Sequence, residues 1–284
     1  MRHLRIIFVT LLLSVSVALL VLPRQSSTKP LQPTSYLGFD LNDYPGDDAL
    51  PVLRKTFSFA SYWLGPAPGE KRTTWLGKRS LMKAQGFGFV VLINGPESRH
   101  LKSASDAKQK GTADGELAAK LARHEGFPPG TILFLDIEEG GRLAPAYYDY
   151  LGAWMDAVAR FHFRSGAYCS GVPVNDGNGK TITTMKDLQE QLAGAKLTLW
   201  VFNDVCPPAP GCVVPQPPPA VAQSGFPEAS VWQFAQSPRR KDRTAACAAT
   251  YNPDGNCYAP GDADRKWFLD LNVANSPDPS APQE

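Results

Sequence analysis

What most restricts the fold of this chain is a repeated alternation: from Tyr36 onward, short apolar runs rich in β-forming residues recur, with helical or loop-like sequence between them. The eight runs are Tyr36–Asn42, Phe57–Leu64, Gly88–Asn94, Thr131–Glu138, Ser165–Ser170, Leu197–Asn203, Ser230–Gln236 and Trp267–Val273. Such alternation is the pattern of a parallel α/β sheet, and eight strands in sequence are enough to close one into a barrel. Helix-like stretches are clearest at Gly115–Glu125, Ala144–Phe163 and Met185–Ala195, the last preceded by Thr183 and Thr184 as candidate caps. An open, doubly wound sheet is the competing arrangement. No Gly-x-Gly-x-x-Gly turn follows any run, however, so its nucleotide-binding form has no support. The expected fold is α/β: a single-domain (β/α)8 TIM barrel over residues 36–275, with long loops on the face where the strands end.

Two of those loops stand out. A Pro-rich stretch follows Asn203, and another long segment, carrying Cys247 and Cys257, follows Gln236. Neither has helical periodicity. Both leave the C-terminal ends of strands, the face on which barrel enzymes build their sites, so they either wall a cleft or decorate the surface. The tail 276–284 is rich in Pro, Ser and Asp and is expected to be disordered.

The N-terminus places Arg2, His3 and Arg5 before an uncharged run from Ile6 to Leu22, the layout of a secretory signal. Residues 1–22 are therefore read as a signal peptide or signal anchor and residues 23–35 as a linker. Small residues at Ser16 and Ala18 permit cleavage, whereas the run 6–22 is about the least that spans a membrane. Both leave the barrel exported: periplasmic, extracellular, or membrane-anchored and facing outward. The five cysteines agree with an oxidising compartment, since four lie as close pairs in the two long loops. The expected disulfides are Cys206–Cys212 and Cys247–Cys257, with Cys169 a buried thiol in a strand. No pair has Cys-x-x-Cys spacing and His3, His100, His124 and His162 are scattered, so no metal site is expected, and no motif calls for a cofactor. A formal net charge of +2 gives no concentrated basic face, which argues against a nucleic-acid partner. The short basic run at Arg239, Arg240, Lys241 and Arg243 reads as a solvated loop. A monomer is expected.

Acidic side chains are disfavoured in buried strands, yet Asp40, Asp136, Glu138 and Asp270 each lie within or at the end of a run. In the fourth run Asp136 and Glu138 are two residues apart, so both point to one face while Leu135 and Ile137 take the other. Their bases are then ~7 Å apart, near enough for one charge to favour a proton on the other carboxyl. That is the condition for a general acid at neutral pH. By the same parity Asp40 shares a face with Gly38 and Asn42, and Asp270 with Asn272. Around them, Tyr62, Asn94, Tyr168, Asn203 and Gln233 are candidate substrate-binding residues. Trp63 and Trp232 add aromatic surface, and Glu139, of opposite parity to Glu138, is expected outside the cleft.

The GFDLN first strand, DIE fourth strand, VWQF seventh strand and FLDLN eighth strand resemble the glycoside hydrolase family 25 lysozyme barrel, and more closely the domain-of-unknown-function 1906 group of exported, glycoside-hydrolase-like barrels. The resemblance implies Glu138 as general acid, Asp136 as the residue that orients an acetamido group or stabilises charge, and Asp40 and Asp270 as supporting carboxylates. It also implies peptidoglycan or another N-acetylhexosamine polymer as substrate. The two long loops depart from what a lysozyme is expected to carry. Phe134 stands where chitinase-like barrels have a further Asp, which weakens a chitinase reading. Two functions remain open at this level, a cell-wall glycosidase and a catalytically silent glycan-binding barrel. A metal-dependent deacetylase or phosphodiesterase lacks a histidine at any strand end.

Overall fold

The computed structural model describes residues 35–205, 211–214 and 216–282. The N-terminal segments read as signal and linker, together with Cys206, lie outside these residues except for Ser35. Eight strands form a closed barrel: β1 (Tyr36–Asp40), β2 (Phe59–Trp63), β3 (Gly88–Asn94), β4 (Ile132–Asp136), β5 (Arg164–Ser170), β6 (Leu197–Phe202), β7 (Val231–Ala235) and β8 (Asp270–Ala274). Around the barrel β1 neighbours β2 and β8, and the remaining strands follow in chain order. The helices are α1 (Leu50–Leu53), α2 (Arg79–Ala84), α3 (Ala104–His124), α4 (Pro145–Arg160) and α5 (Thr184–Gln191). Among the described residues, the two long loops before β7 and β8 hold only short 3-10 turns, Val221–Ser224 and Ala245–Thr250. The architecture is thus an eight-stranded α/β barrel of mixed arrangement rather than a regular (β/α)8 repeat.

The expected all-parallel sheet needs one correction. Strands β1 to β7 pair in parallel, but β8 runs antiparallel to both β7 and β1. A parallel strand needs a crossover that returns the chain to the opposite end of the sheet, usually a helix. The segment after Ala235 has no such helix, so the chain starts β8 from the mouth at which β7 ended.

Local chemistry fixes the larger helices. Ser103 Oγ caps α3 by accepting from Asp106 N at 3.2 Å, Pro145 opens α4, and Thr183 Oγ1 caps α5 by accepting from Lys186 N at 3.0 Å. Helix α3 begins well before the expected Gly115. Its first half is polar and contains Gly111, which weakens the sequence signal, but a Cβ there would sit 2.1 Å from Tyr150 O in α4. The glycine lets the two helices approach closely, and packing outweighs its low helix propensity. Inside the barrel Gly38 plays a similar part: a Cβ would fall 2.1 Å from the Phe59 ring, which fills that space.

The expected disorder after Asn275 is also corrected. The tail crosses the N-terminal ends of β3 and β4, which pair with each other only from Val91 and Leu133 onward. Asp278 Oδ1 accepts from Phe89 N at 2.8 Å, Ser280 Oγ accepts from Val91 N at 2.9 Å, and Ser280 O accepts from Ile132 N at 2.8 Å. Residues that look like a solvated tail supply hydrogen bonds to strand backbone otherwise left open.

Candidate active site

Asp40, Asp136, Glu138 and Asp270 line one cavity of about 630 Å³ at the barrel mouth. Backbone pairing holds the Asp-x-Glu segment on both sides. Asp136 O accepts from Gly95 N at 2.9 Å, and Ile137 N donates to Tyr168 O at 3.0 Å. Leu135, Asp136 and Ile137 are buried, and Glu138, just past the strand end, is exposed. The pair therefore divides into one dry carboxyl and one wet one.

Burial pushes the Asp136 carboxyl well above the usual carboxylate range, and the charge of Glu138, its hydrogen-bonding contact and the charge of Asp40 add to the effect. Of the pair, Asp136 is the carboxyl whose surroundings favour holding a proton. Asp40 is raised to about 6, chiefly by burial. It would rise further but for Gln233 Nε2 and Asn272 Nδ2, which donate to its Oδ2 at 2.8 and 2.7 Å. Both amides are oriented from behind. Tyr168 Oη donates to Gln233 Oε1 at 2.8 Å and Trp200 Nε1 donates to Asn272 Oδ1 at 2.9 Å, leaving each NH₂ to face the carboxylate. Asp270, raised by burial and next by Asp40, accepts from Ser237 N at 2.6 Å and so pins the start of the loop after β7. Tyr168 is held far above the usual phenol range by burial and the surrounding carboxylates, and stays a donor.

Of the candidate binding residues, Tyr168 and Gln233 belong to this cavity. Tyr62 does not. Adjacent strand residues point oppositely, and it is Trp63 that lines the cavity. Tyr62 is fully buried against Trp75, Phe89 and Phe127, with its hydroxyl bonded to Glu125. Asn203 is also a framework residue: its Nδ2 donates to Ser224 O at 2.7 Å and its carbonyl accepts from Trp232 Nε1 at 2.8 Å. Asn94 is exposed beside Asp136 in register but does not line the cavity. Glu139 binds Ser98 through both backbone and hydroxyl, which fixes the loop after β3. Sequence reasoning missed Trp200, and it missed Trp267 and Phe268 at the cavity's rim; the latter is 48% exposed. An exposed aromatic beside an acidic cavity was the available signal for Phe268, but only a fold shows the adjacency.

The expected disulfides are not formed. Cys212 is bonded to Cys257, which joins the two long loops to each other instead of stapling each one internally. Two cysteines close in sequence pair only when the loop turns them together, and here the spatial neighbours come from different loops. Cys169 is buried, and burial pushes its thiol up to about 12, so it has no nucleophilic character. Among the described residues no group of three or more His, Cys, Asp or Glu side chains is placed to hold a metal ion.

The structure is a closed α/β barrel whose mouth gathers carboxylates, amides and aromatics. Residues 69–204 match the family described as the Rv2525c-like, glycoside hydrolase-like domain, a span that holds Asp136, Glu138 and Tyr168. The resemblance read from the strand motifs, to glycoside-hydrolase-like barrels related to family 25, agrees with this match. Among solved structures, an uncharacterized B. stearothermophilus protein aligns with a TM-score of 0.52 at 18% identity, covering 84% of this chain and 95% of that one. The Mycobacterium tuberculosis Tat-secreted protein Rv2525c, crystallised with HEPES, aligns with a TM-score of 0.47 at 15% identity, over 89% and 99%. A family 25 glycosyl hydrolase from Bacillus anthracis aligns with a TM-score of 0.47 at 12% identity, over 85% and 89%. No curated protein matches by sequence.

Proposed function

We propose that this chain is an exported, monomeric, cofactor-independent glycosidase of cell-wall glycan containing N-acetylhexosamine, with peptidoglycan as its substrate and Glu138 as its general acid. The observation that carries the reading is the placing of buried Asp136 beside exposed Glu138 on one cavity wall, where burial and neighbouring charges favour a proton on Asp136. Asp136, whose buried site favours a proton, can pass that proton to its neighbour Glu138 when a sugar covers the pair. Glu138 then protonates the departing glycosidic oxygen, while Asp136, left ionised, stabilises the developing cation or holds the substrate's acetamido group. Asp40 and Asp270 supply further acidic groups beside the pair, and Trp63 and Phe268 offer faces for sugar rings.

Export is supported by the charged-then-apolar N-terminus and by the Cys212–Cys257 disulfide, which persists in oxidising compartments. Anchoring through residues 6–22 falls outside the described residues and rests on sequence alone. Incubation of the barrel with purified peptidoglycan, followed by analysis of new reducing ends, tests the proposal. Their release supports a glycosidase. Retention of the glycan by the protein with no release would replace it with the silent glycan-binding barrel.

A further inference from the structure

A second cavity of about 300 Å³ adjoins the first along Glu138, Tyr168 and Gln236. The two differ in charge. The first is lined by acidic side chains with Lys266 as its one cation among the described residues, and Lys266 lies 2.8 Å from Asp264. The second is lined by Arg240 and Arg243, with Glu138 its one carboxylate among the described residues. The short basic run that reads as a solvated loop in the sequence thus folds back to form the wall of a cavity next to the proposed acid.

Both arginines are held in place by packing and hydrogen bonds. Arg240 packs 4.3 Å over the Phe202 ring, and its Nη2 donates to buried Asp204 at 3.2 Å. Its Nε has no partner among the described residues. Arg243 reaches across to the loop after β5, where Nη1 donates to Pro173 O at 3.3 Å; its ion pair is with exposed Asp242, a contact that solvent screens. The loop that carries them is fastened at Asp270 by Ser237 and at Cys212 by Cys257. A guanidinium on a fixed stem suits planar oxyanions, which it binds through paired N–H groups.

We propose that this second cavity is an anion-binding subsite that receives the carboxylate of an acidic sugar residue. A glycan crossing Glu138 would then be oriented by charge, its acidic residue over Arg240 and Arg243 and its neutral residue in the first cavity, whose lining holds no arginine among the described residues. The proposal rests on the glycan-processing reading and names the substrate it prefers: a polymer with a free carboxylate on the sugar next to the scissile bond, such as glycan whose muramic acid carries no stem peptide, since a stem peptide converts the lactyl carboxyl to an amide.

The test measures binding, so that it does not depend on turnover. Calorimetric titration of the whole barrel compares N-acetylmuramic acid with N-acetylglucosamine, which differ by the lactyl carboxylate, and glucuronic acid with glucose. At low ionic strength the wild type should bind at least one acid about tenfold more tightly than its neutral partner, a difference of about 1.4 kcal/mol. Arg243→Gln should abolish the preference, Arg243→Lys should restore part of it, and added salt should weaken it. The pair that shows the preference tells a lactyl from a uronate carboxylate. Equal binding of acid and neutral sugars by the wild type, or a preference that survives Arg243→Gln in a protein with an unchanged melt, would overturn the subsite. Hydrolysis without acid preference removes the subsite and leaves the glycosidase; acid preference without release of reducing ends does the reverse.

Discussion

Asp40, the last residue of β1, stands directly opposite Asp270, the first residue of β8, in an antiparallel pair. Two carboxylates are brought face to face because one strand arrives at the mouth where the other departs. Were β8 parallel to its neighbours, Asp270 would start its strand at the opposite end of the barrel. Reversal of the last strand is what adds a carboxylate to the site. Between them Gln233 Nε2 donates to Asp40 and reaches 3.5 Å to Asp270, so one amide serves both.

Burying these acids has a consequence for stability. Asp40 rises from 3.8 to about 6, and Asp136 and Asp270 are also raised. A carboxyl whose folded pKa is raised keeps its proton in the folded state after the unfolded chain has released it. Its stabilising effect is complete below about pH 4 and is lost as pH rises through about 6. The carboxylates lowered by ion pairs, such as Asp47 and Asp264, act oppositely but are exposed and screened. Melting temperature should therefore fall between pH 4 and 7, and Asp136→Asn should flatten that slope, raising Tm at pH 7 by about 2–4 °C for each kcal/mol recovered. A variant less stable than wild type at pH 7 would contradict the protonated Asp136.

Gln233→Leu removes one of two donors to Asp40 and the acceptor of the Tyr168 hydroxyl. Loss of a donor to the charged form moves the Asp40 titration upward from about 6, which ¹³C NMR of the labelled carboxyl can follow. The same change should cost about 1–3 kcal/mol through unmade buried hydrogen bonds. An Asp40 that titrates at or below its wild-type pH in this variant would rule out the amide's role.

The disulfide closes a segment of 45 residues, for which chain-entropy arguments give about 4 kcal/mol at most. Cys257→Ser should lower stability by about 2–4 kcal/mol and expose both long loops to protease together. Non-reducing peptide mapping should link Cys212 to Cys257; a peptide joining Cys257 to Cys247 would contradict this topology.

Side-chain parity carried most of the site. In the fourth run it needs only two acids flanked by Leu135 and Ile137, and the same argument puts Asp40 and Asp270 on the inner face of their strands. Parity assigns a face but not a direction, because alternation reads the same either way along a strand; the reversal of β8 is therefore invisible in FLDLN. It also fails in β2, where all five residues are buried, Ser61 among them, so that no polar and apolar alternation tells Tyr62 from Trp63. The cysteine pairing and the ordered tail depend on which distant segments meet, through Cys212 and Cys257 in one case and Ser280 and β3 in the other. Local sequence does not encode such meetings.

The central claim is that Glu138 donates the proton to a departing glycosidic oxygen, and one comparison tests it most directly: release of reducing ends from purified peptidoglycan by wild type and by Glu138→Gln, with thermal melts alongside. Glu138 is exposed, so the amide should leave the melt unchanged while release falls by about 10²–10⁴, the usual contribution of a general acid. A folded Glu138→Gln variant that releases reducing ends at the wild-type rate would contradict the account.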